Sequence, residues 1–283
     1  MAFLVVVISL LIIYFSGAVP GIQRDGWYVS WLTYLRKSTD SGKRPKTYLT
    51  VSLLVPVGVL MVVLWFAKGL LFGLPVLVLN VLLLVYAYGR EDVIAKAYVY
   101  TEAMSRGDFQ AAFHQAAVFN LSHHEGRARN QGELHREVLQ AISYRYFEHY
   151  FAVVFWYFLL GAPAAVLYRL TQLHGDLELD GKHEKAVITR WLWLLEWLPT
   201  RLMGLTLSVV GNFSDCFRQW QVSLTNSVDS TAVVLGGYLE GAMNFGQSDS
   251  PTEQIADVES VKALYTRSLM LMVILLALVV IFV

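Results

Sequence analysis

Uncharged apolar runs alternate with short polar segments along this chain, and the runs set its organisation. Residues 1–23 carry no acid or base; Tyr48 to Gly89 contains one charge, Lys68; Tyr150 to Tyr168 and Ser268 to Val283 contain none. A bilayer core about 30 Å thick needs roughly 20 apolar helical residues to cross it, so each run is long enough to be tested as a span. The second run is about twice that length. Lys68-Gly69 and Gly73-Leu74-Pro75 interrupt it with residues that weaken a helix, which predicts two spans joined by a tight turn. Five transmembrane helices follow, at about 3–20, 49–66, 71–88, 150–168 and 267–283. The first reads as an anchor, because no Lys or Arg precedes its apolar stretch.

One further stretch, "WLWLLEWLPTRLMGLTLSVVG" at 191–211, reads as a span carrying Glu196, Pro199 and Arg201. Ionisable groups at membrane depth cost a few kcal/mol and are held by a partner or a polar cavity. Five residues apart, Glu196 and Arg201 do not meet on one straight helix. Pro199, which lacks an N–H, predicts a bend or break between them. The segment is expected to be a re-entrant or interfacial helix–Pro–helix element, with either a snorkelling role or a polar seat for an anionic head group at Arg201.

The polar segments are helical too. In "REDVIAKAYVYTEAMSRGDFQAAFHQAAV" the helix breaks at Arg106-Gly107-Asp108, where Gly ends one helix and Asp108 caps the next, giving a helical hairpin. Residues 120–132 read as a loop, and "ELHREVLQAISYRYFEHYF" as a helix running into the fourth span. In "STAVVLGGYLEGAMNFG" small residues allow close helix approach. The fold class is therefore all-α, a polytopic helical membrane protein, with 1–283 as a single membrane domain and polar helical segments at 89–149 and 170–266.

Composition agrees with this picture. The chain of 283 residues is 56% hydrophobic and 16% charged, with zero formal net charge. It is too apolar for an ordinary soluble domain and has no basic excess to bind nucleic acid. Charge placement sets the orientation: 23–47 holds Arg24, Arg36, Lys37, Lys43, Arg44 and Lys46 against two aspartates, and 89–149 holds seven basic residues. Both are expected on the cytoplasmic side. Residues 212–267 carry three bases against seven acids, which suits the outer side.

Chemistry-bearing motifs are sparse. His114, His123, His124 and His135, with Glu125 and Glu133, are metal-ligand types without ligand spacing, so no metal is assigned. No phosphate-cradling loop or nucleophile elbow occurs. Cys216 is the single cysteine and excludes an intramolecular disulfide. No catalytic residue and no cofactor are assigned.

The stretch "REVLQAISYRYFEHYFAVVFWYFLLGAPAAVLYRLTQ", followed by "LLEWLPTRLMG", resembles the AmpE family of bacterial inner-membrane proteins. "RDGWYVSWL" after the opening anchor and the apolar carboxyl-terminal tail agree with it. The family is similar in turn to adenosylcobinamide-phosphate synthase, of the CobD/CbiB group. Where the synthase pattern has paired aspartates before its Trp-Ile-Pro, this chain has Leu192 and Trp193; where it has Glu-Asn, this chain has Tyr144 and Arg145. Glu148, Phe155, Trp156, Trp197, Pro199 and Arg201 remain. The resemblance implies a shared fold, with Pro199 and Gly161 as structural positions and Glu148, Trp156, Glu196, Trp197 and Arg201 as ligand-binding candidates. It further implies a multi-pass inner-membrane regulator of β-lactamase induction and peptidoglycan recycling. Its expected partners are the lipid bilayer and a soluble cytoplasmic protein, the anhydromuropeptide amidase AmpD, docking on Arg36, Lys37, Lys43, Arg44 and Lys46. The alternative is a membrane enzyme acting on a nucleotide- or lipid-linked substrate, with Glu148, Glu196 and Arg201 in its site.

Overall fold

The computed structural model describes residues 1–17, 19, 21–38, 45–68, 73–89, 93–117, 131–177, 182–225, 229–243 and 250–282. Every regular element among them is helical. The chain falls into two compact units, each assembled from two separate stretches: Met1–Glu91 with Ala152–Glu196, and Asp92–Phe151 with Trp197–Val283.

The first unit holds α1 (Ala2–Ser16), α2 (Gly26–Ser38), α3 (Pro45–Ala67), α4 (Leu74–Ala87), α8 (Ala152–Leu160), α9 (Ala162–Asp176) and the opening half of α10 (Lys182–Val210). Helix α2 lies in what reads from charge alone as a basic loop. Its apolar face is Tyr28, Leu32 and Leu35, three buried residues at helical spacing that pack with Tyr48, Leu49 and Leu53 of α3 and Leu170 of α9. Helix α1 is tied to α4, with Ser9 Oγ 3.2 Å from the Tyr88 hydroxyl.

Three expected elements differ. The fourth span, 150–168, is not one helix: Gly161, at φ 82°, separates α8 from α9. That left-handed backbone suits glycine, and Pro163 then sits in the first turn of α9, where its missing N–H costs nothing. The carboxyl-terminal helix α13 (Pro251–Phe282) starts well before residue 267. Its first half buries Gln254, Val258, Val261 and Tyr265, while Ile274, Leu275, Leu278 and Phe282 are exposed. Helix α10 runs through Pro199 without a break.

Among the described residues, two helices, at Thr47–Ala67 and Thr252–Phe282, are long and apolar enough to cross a bilayer, and Ala2–Ser16 and Leu74–Ala87 are shorter apolar helices.

The helices survive their internal prolines because something else satisfies the freed carbonyls. Pro199 cannot donate to the carbonyl of Leu195, and the indole N–H of Trp156 donates to that oxygen at 3.1 Å. Pro56 in α3 likewise cannot donate to Ser52, whose carbonyl accepts the Trp31 indole N–H at 3.2 Å. Each tryptophan thereby fixes the proline-bearing helix to a neighbour within the first unit.

The second unit holds α5 (Val93–Ser105), α6 (Phe109–Ala117), α7 (Gln131–Tyr146), a π-helical turn (Phe147–Phe151), the closing half of α10, α11 (Phe213–Thr225), α12 (Thr231–Met243) and α13. The hairpin of α5 and α6 turns at Gly107, φ 71°, and Asp108 Oδ1 accepts the Ala111 N–H at 2.9 Å, as the sequence indicates. Of the loop expected at 120–132, residues 120–130 lie outside the described residues, and 131–132 open α7. Helix α12 packs closely on its neighbours: a Cβ added at Gly241 would stand 2.8 Å from Cys216 Cα, and one at Gly236 2.7 Å from the Gln140 side chain.

Two outcomes are expected from this packing. Gly241→Ala drives a methyl into backbone and should destabilise the protein by about 1–3 kcal/mol, read as a lower melting temperature in detergent. Trp156→Phe keeps the ring but strands the Leu195 carbonyl, at a cost of about 1–3 kcal/mol in the same measurement.

Candidate functional site

The charged ligand-binding candidates Glu148, Glu196 and Arg201 are buried, and each sits in a definite set of contacts within its own unit. In the second unit the π-helical turn follows directly on α7 and buries Glu148 and His149, both 2% exposed. Arg145 donates from Nη1 to Glu148 Oε1 at 2.8 Å, and His149 Nε2 lies 3.8 Å from the same oxygen. A buried charge pair of this kind is costly to break, because the abandoned partner remains desolvated. π-Helical turns recur at functional sites, and this one sits on the only acid that the resemblance carries over from the synthase pattern's Asp.

Arg201, on the half of α10 in the second unit, donates from Nη2 to the Ser223 carbonyl at 2.9 Å. Its guanidinium carbon stands 4.9 Å from the centroid of the Trp197 ring, within cation–π range. Trp220 of α11 donates its indole N–H to the Arg201 carbonyl at 2.9 Å. Arg201 and Trp197 are therefore brought together, one helical turn apart, and fixed to α11.

In the first unit Glu196 is 2% exposed, and its Oε1 accepts the Tyr168 hydroxyl at 3.0 Å. Trp156 spends its indole N–H on the Leu195 carbonyl. Helix α9 buries Tyr168, Arg169, Thr171, Gln172 and His174, an unusual concentration of polar side chains for one helix. Arg169 pairs with Asp25 at 3.1 Å, and a Cβ at Gly89 would fall 2.9 Å from its guanidinium carbon. Sequence reasoning stopped at "VLYRLTQ" as a resemblance and missed Arg169, Gln172 and His174. For Gln172 the signal was present, because polar residues at 168, 171 and 172 share one helical face.

The basic residues expected to dock a partner divide. Arg36 lies 3.7 Å from Glu184 and Lys37 is exposed at the end of α2. Lys43 and Arg44 lie outside the described residues, and Lys46 stands in the first turn of α3. Of the histidine group, His114 is exposed on α6 and His123, His124 and Glu125 lie outside the described residues.

His135 and His174 are built into the two units in similar ways. His135 stacks on Tyr100, with its Nδ1 3.2 Å from that hydroxyl and its Nε2 3.3 Å from Asp257 Oδ2. His174 Nδ1 lies 3.1 Å from the Tyr28 hydroxyl and its Nε2 3.1 Å from Glu184 Oε1. A neutral ring protonated at Nε2 satisfies both partners in each case. Burial pushes both rings below the ordinary value of 6.5; Asp257 opposes this at His135, while at His174 Glu184 opposes it and Arg36 adds to it. With the folded pKa below the unfolded one, the unfolded chain binds more protons in the window between them, so stability falls as pH drops. The melting temperature should therefore decline from about pH 6.5 downwards. His174→Gln, which can keep one donor and one acceptor, should shrink that decline; an equally steep decline in the variant would remove His174 as its source.

Residues 31–283 match the family model described as "Regulatory signalling modulator protein AmpE". The chain is 25% identical over 185 residues to Protein AmpE of Shigella flexneri, covering 60% of this chain and 63% of that protein. It is 30% identical over 162 residues to the cobalamin biosynthesis protein CobD of Chromobacterium violaceum, covering 55% of this chain and 51% of the relative. A second CobD, from Stutzerimonas stutzeri, is 26% identical over 167 residues, covering 56% and 54%. The chain thus spans about half to under two thirds of the length of these curated relatives. No solved structure matches it. With the family model running from α2 to the end of the chain, across both units and every candidate residue, the chain belongs to the AmpE family.

Proposed function

We propose that this chain is a multi-pass protein of the bacterial inner membrane that modulates signalling between cell-wall recycling and β-lactamase induction. The observation that carries the reading is the family match over residues 31–283, which takes in the polar segments as well as the apolar helices. The site geometry agrees with a regulatory role. Glu148 is engaged by Arg145 and Glu196 by Tyr168, contacts that hold these acids as parts of the scaffold. In this reading about five helices span the bilayer as a single membrane domain. The segment around Pro199 lies inside the continuous helix α10, and the basic stretch 36–46 faces the cytoplasm.

The soluble partner docks on that basic stretch and is the anhydromuropeptide amidase AmpD. Arg36 is shared with Glu184, so Lys37, Lys43, Arg44 and Lys46 carry the docking. A second reading, a membrane enzyme using Glu148, Glu196 and Arg201 on a nucleotide- or lipid-linked substrate, is favoured by the similarity to the two CobD proteins. Against it stand Leu192 and Trp193, which supply no carboxylate where the synthase pattern has paired aspartates.

Measuring β-lactam-induced β-lactamase in cells whose own copy is replaced separates the two. Changing Lys37, Lys43, Arg44 and Lys46 together to Gln should abolish the response while protein level holds. Arg201→Lys should leave it intact. A response lost in Arg201→Lys at wild-type protein level, with the basic-segment variant normal, would favour the enzyme.

A further inference from the structure

Within the second unit, the closing half of α10 and α11 form an antiparallel hairpin joined by Gly211-Asn212. Their contacts run in opposite directions along the two helices. Cys216 Sγ meets the Gly204 carbonyl at 3.8 Å, Trp220 donates to the Arg201 carbonyl at 2.9 Å, and Arg201 donates to the Ser223 carbonyl at 2.9 Å. Both helices carry an apolar stripe at i, i+4, i+7 and i+11, spacing that keeps four residues on one face. On α10 it is Leu198, Leu202, Leu205 and Val209; on α11 it is Phe213, Phe217, Trp220 and Leu224.

The α10 stripe is turned outward. Leu198, Leu202 and Val209 are exposed, while Thr200, Arg201, Thr206 and Ser208 of the same helix are buried. A helix against water has the reverse polarity, because burying hydroxyls and a guanidinium while exposing leucine is unfavourable on both counts. This inverted polarity suits hydrocarbon on the outer side. On α11 the stripe also faces outward, with Phe213 and Leu224 exposed, and the rings of Phe213, Phe217 and Trp220 stack in succession at 5.1 and 5.2 Å between centroids.

Helix α11 differs from α10 in having a second exposed stripe. Ser214, Arg218, Gln221 and Thr225 repeat the same spacing one residue on, about 100° around the helix. Cys216 and Ser223 fill a third side, buried against the protein. The polar stripe runs the whole length of α11, so sinking either end into hydrocarbon would take exposed polar groups with it. Only a helix lying parallel to the membrane surface gives each stripe its matching solvent along its whole length.

We propose that α11 lies in the plane of the bilayer at the head-group boundary, with its aromatic stripe among the acyl chains and its polar stripe in water. The closing half of α10, bonded alongside, lies at the same level. Arg201 then stands near the head groups and away from the bilayer centre, where a charge is costliest. This lipid-binding surface rests on the membrane reading above and adds to it.

The test is nitroxide labelling of the full chain in vesicles of mixed phosphatidylethanolamine and phosphatidylglycerol. Phe213→Cys, Leu224→Cys, Ser214→Cys, Thr225→Cys and, as a reference on α3, Val59→Cys are made singly on a Cys216→Ser background. Cys216→Ala serves if that background unfolds. Power-saturation EPR compares collisions with oxygen, which concentrates in hydrocarbon, and with a water-soluble nickel chelate. Labels at 213 and 224 should meet oxygen several-fold more than nickel and report equal depth, and labels at 214 and 225 should show the opposite preference. A helix running into the bilayer would separate 213 from 224 by up to about 16 Å in depth, and that result would overturn the in-plane placement. Labels at 213 and 224 open to nickel, or closed to both reagents as under a second protein copy, would overturn it as well while Val59→Cys stays in hydrocarbon. If Val59→Cys itself meets nickel, the membrane reading fails first.

Discussion

Satisfaction of backbone carbonyls in an apolar interior is the constraint on which this structure depends. A helix that crosses or lies in a low-dielectric core has no water to repair a missing hydrogen bond, so a proline inside it strands the carbonyl four residues earlier. The chain meets the problem twice with the same device. Trp156 donates to the Leu195 carbonyl below Pro199, and Trp31 donates to the Ser52 carbonyl below Pro56. Because each indole comes from another helix of the first unit, the repair also locks two helices together. Tyr168 and Glu196, neighbours of the first clasp, are buried and bonded to one another.

The same economy governs the charges. Arg145 with Glu148, Arg169 with Asp25, and Arg201 over Trp197 each place a cation against a specific partner. Such groups at membrane depth are tolerated only when paired or facing a polar cavity. The carbonyls, hydroxyls and rings that hold them make these residues parts of the scaffold in their own right. The chain belongs to the AmpE family, is 30% identical over 162 residues to a cobalamin biosynthesis protein, and carries Leu192 and Trp193, which supply no carboxylate, ahead of Trp197 and Pro199.

What the sequence discloses is what short-range chemistry controls. The Gly107–Asp108 turn was legible because a positive-φ glycine and an N-capping aspartate act within four residues. The Arg145–Glu148 pair sits at helical i,i+3 spacing and is readable on the same ground. Helix α2 was hidden because its charges drew the eye from the face formed by Tyr28, Leu32 and Leu35. The split at Gly161 carries the same Gly-x-Pro signature as Gly73-Leu74-Pro75, but the run around it has the length of a single span and so reads as one helix. The clasp of Trp156 on Leu195 joins residues 39 apart, and the bond of Tyr168 to Glu196 joins residues 28 apart. Neither follows from any local pattern, so Pro199 read as a break where the folded chain has an intact helix.

That intact helix is the claim most open to direct measurement. Amide hydrogen exchange of the protein in detergent, followed peptide by peptide along α10, reports whether backbone hydrogen bonds persist past the proline. If an indole replaces the donor that Pro199 lacks, the amides of residues 200–204 should exchange as slowly as those of 192–198. Rapid exchange confined to 200–204 would mean that the helix is broken there and that the Trp156 clasp does not hold it.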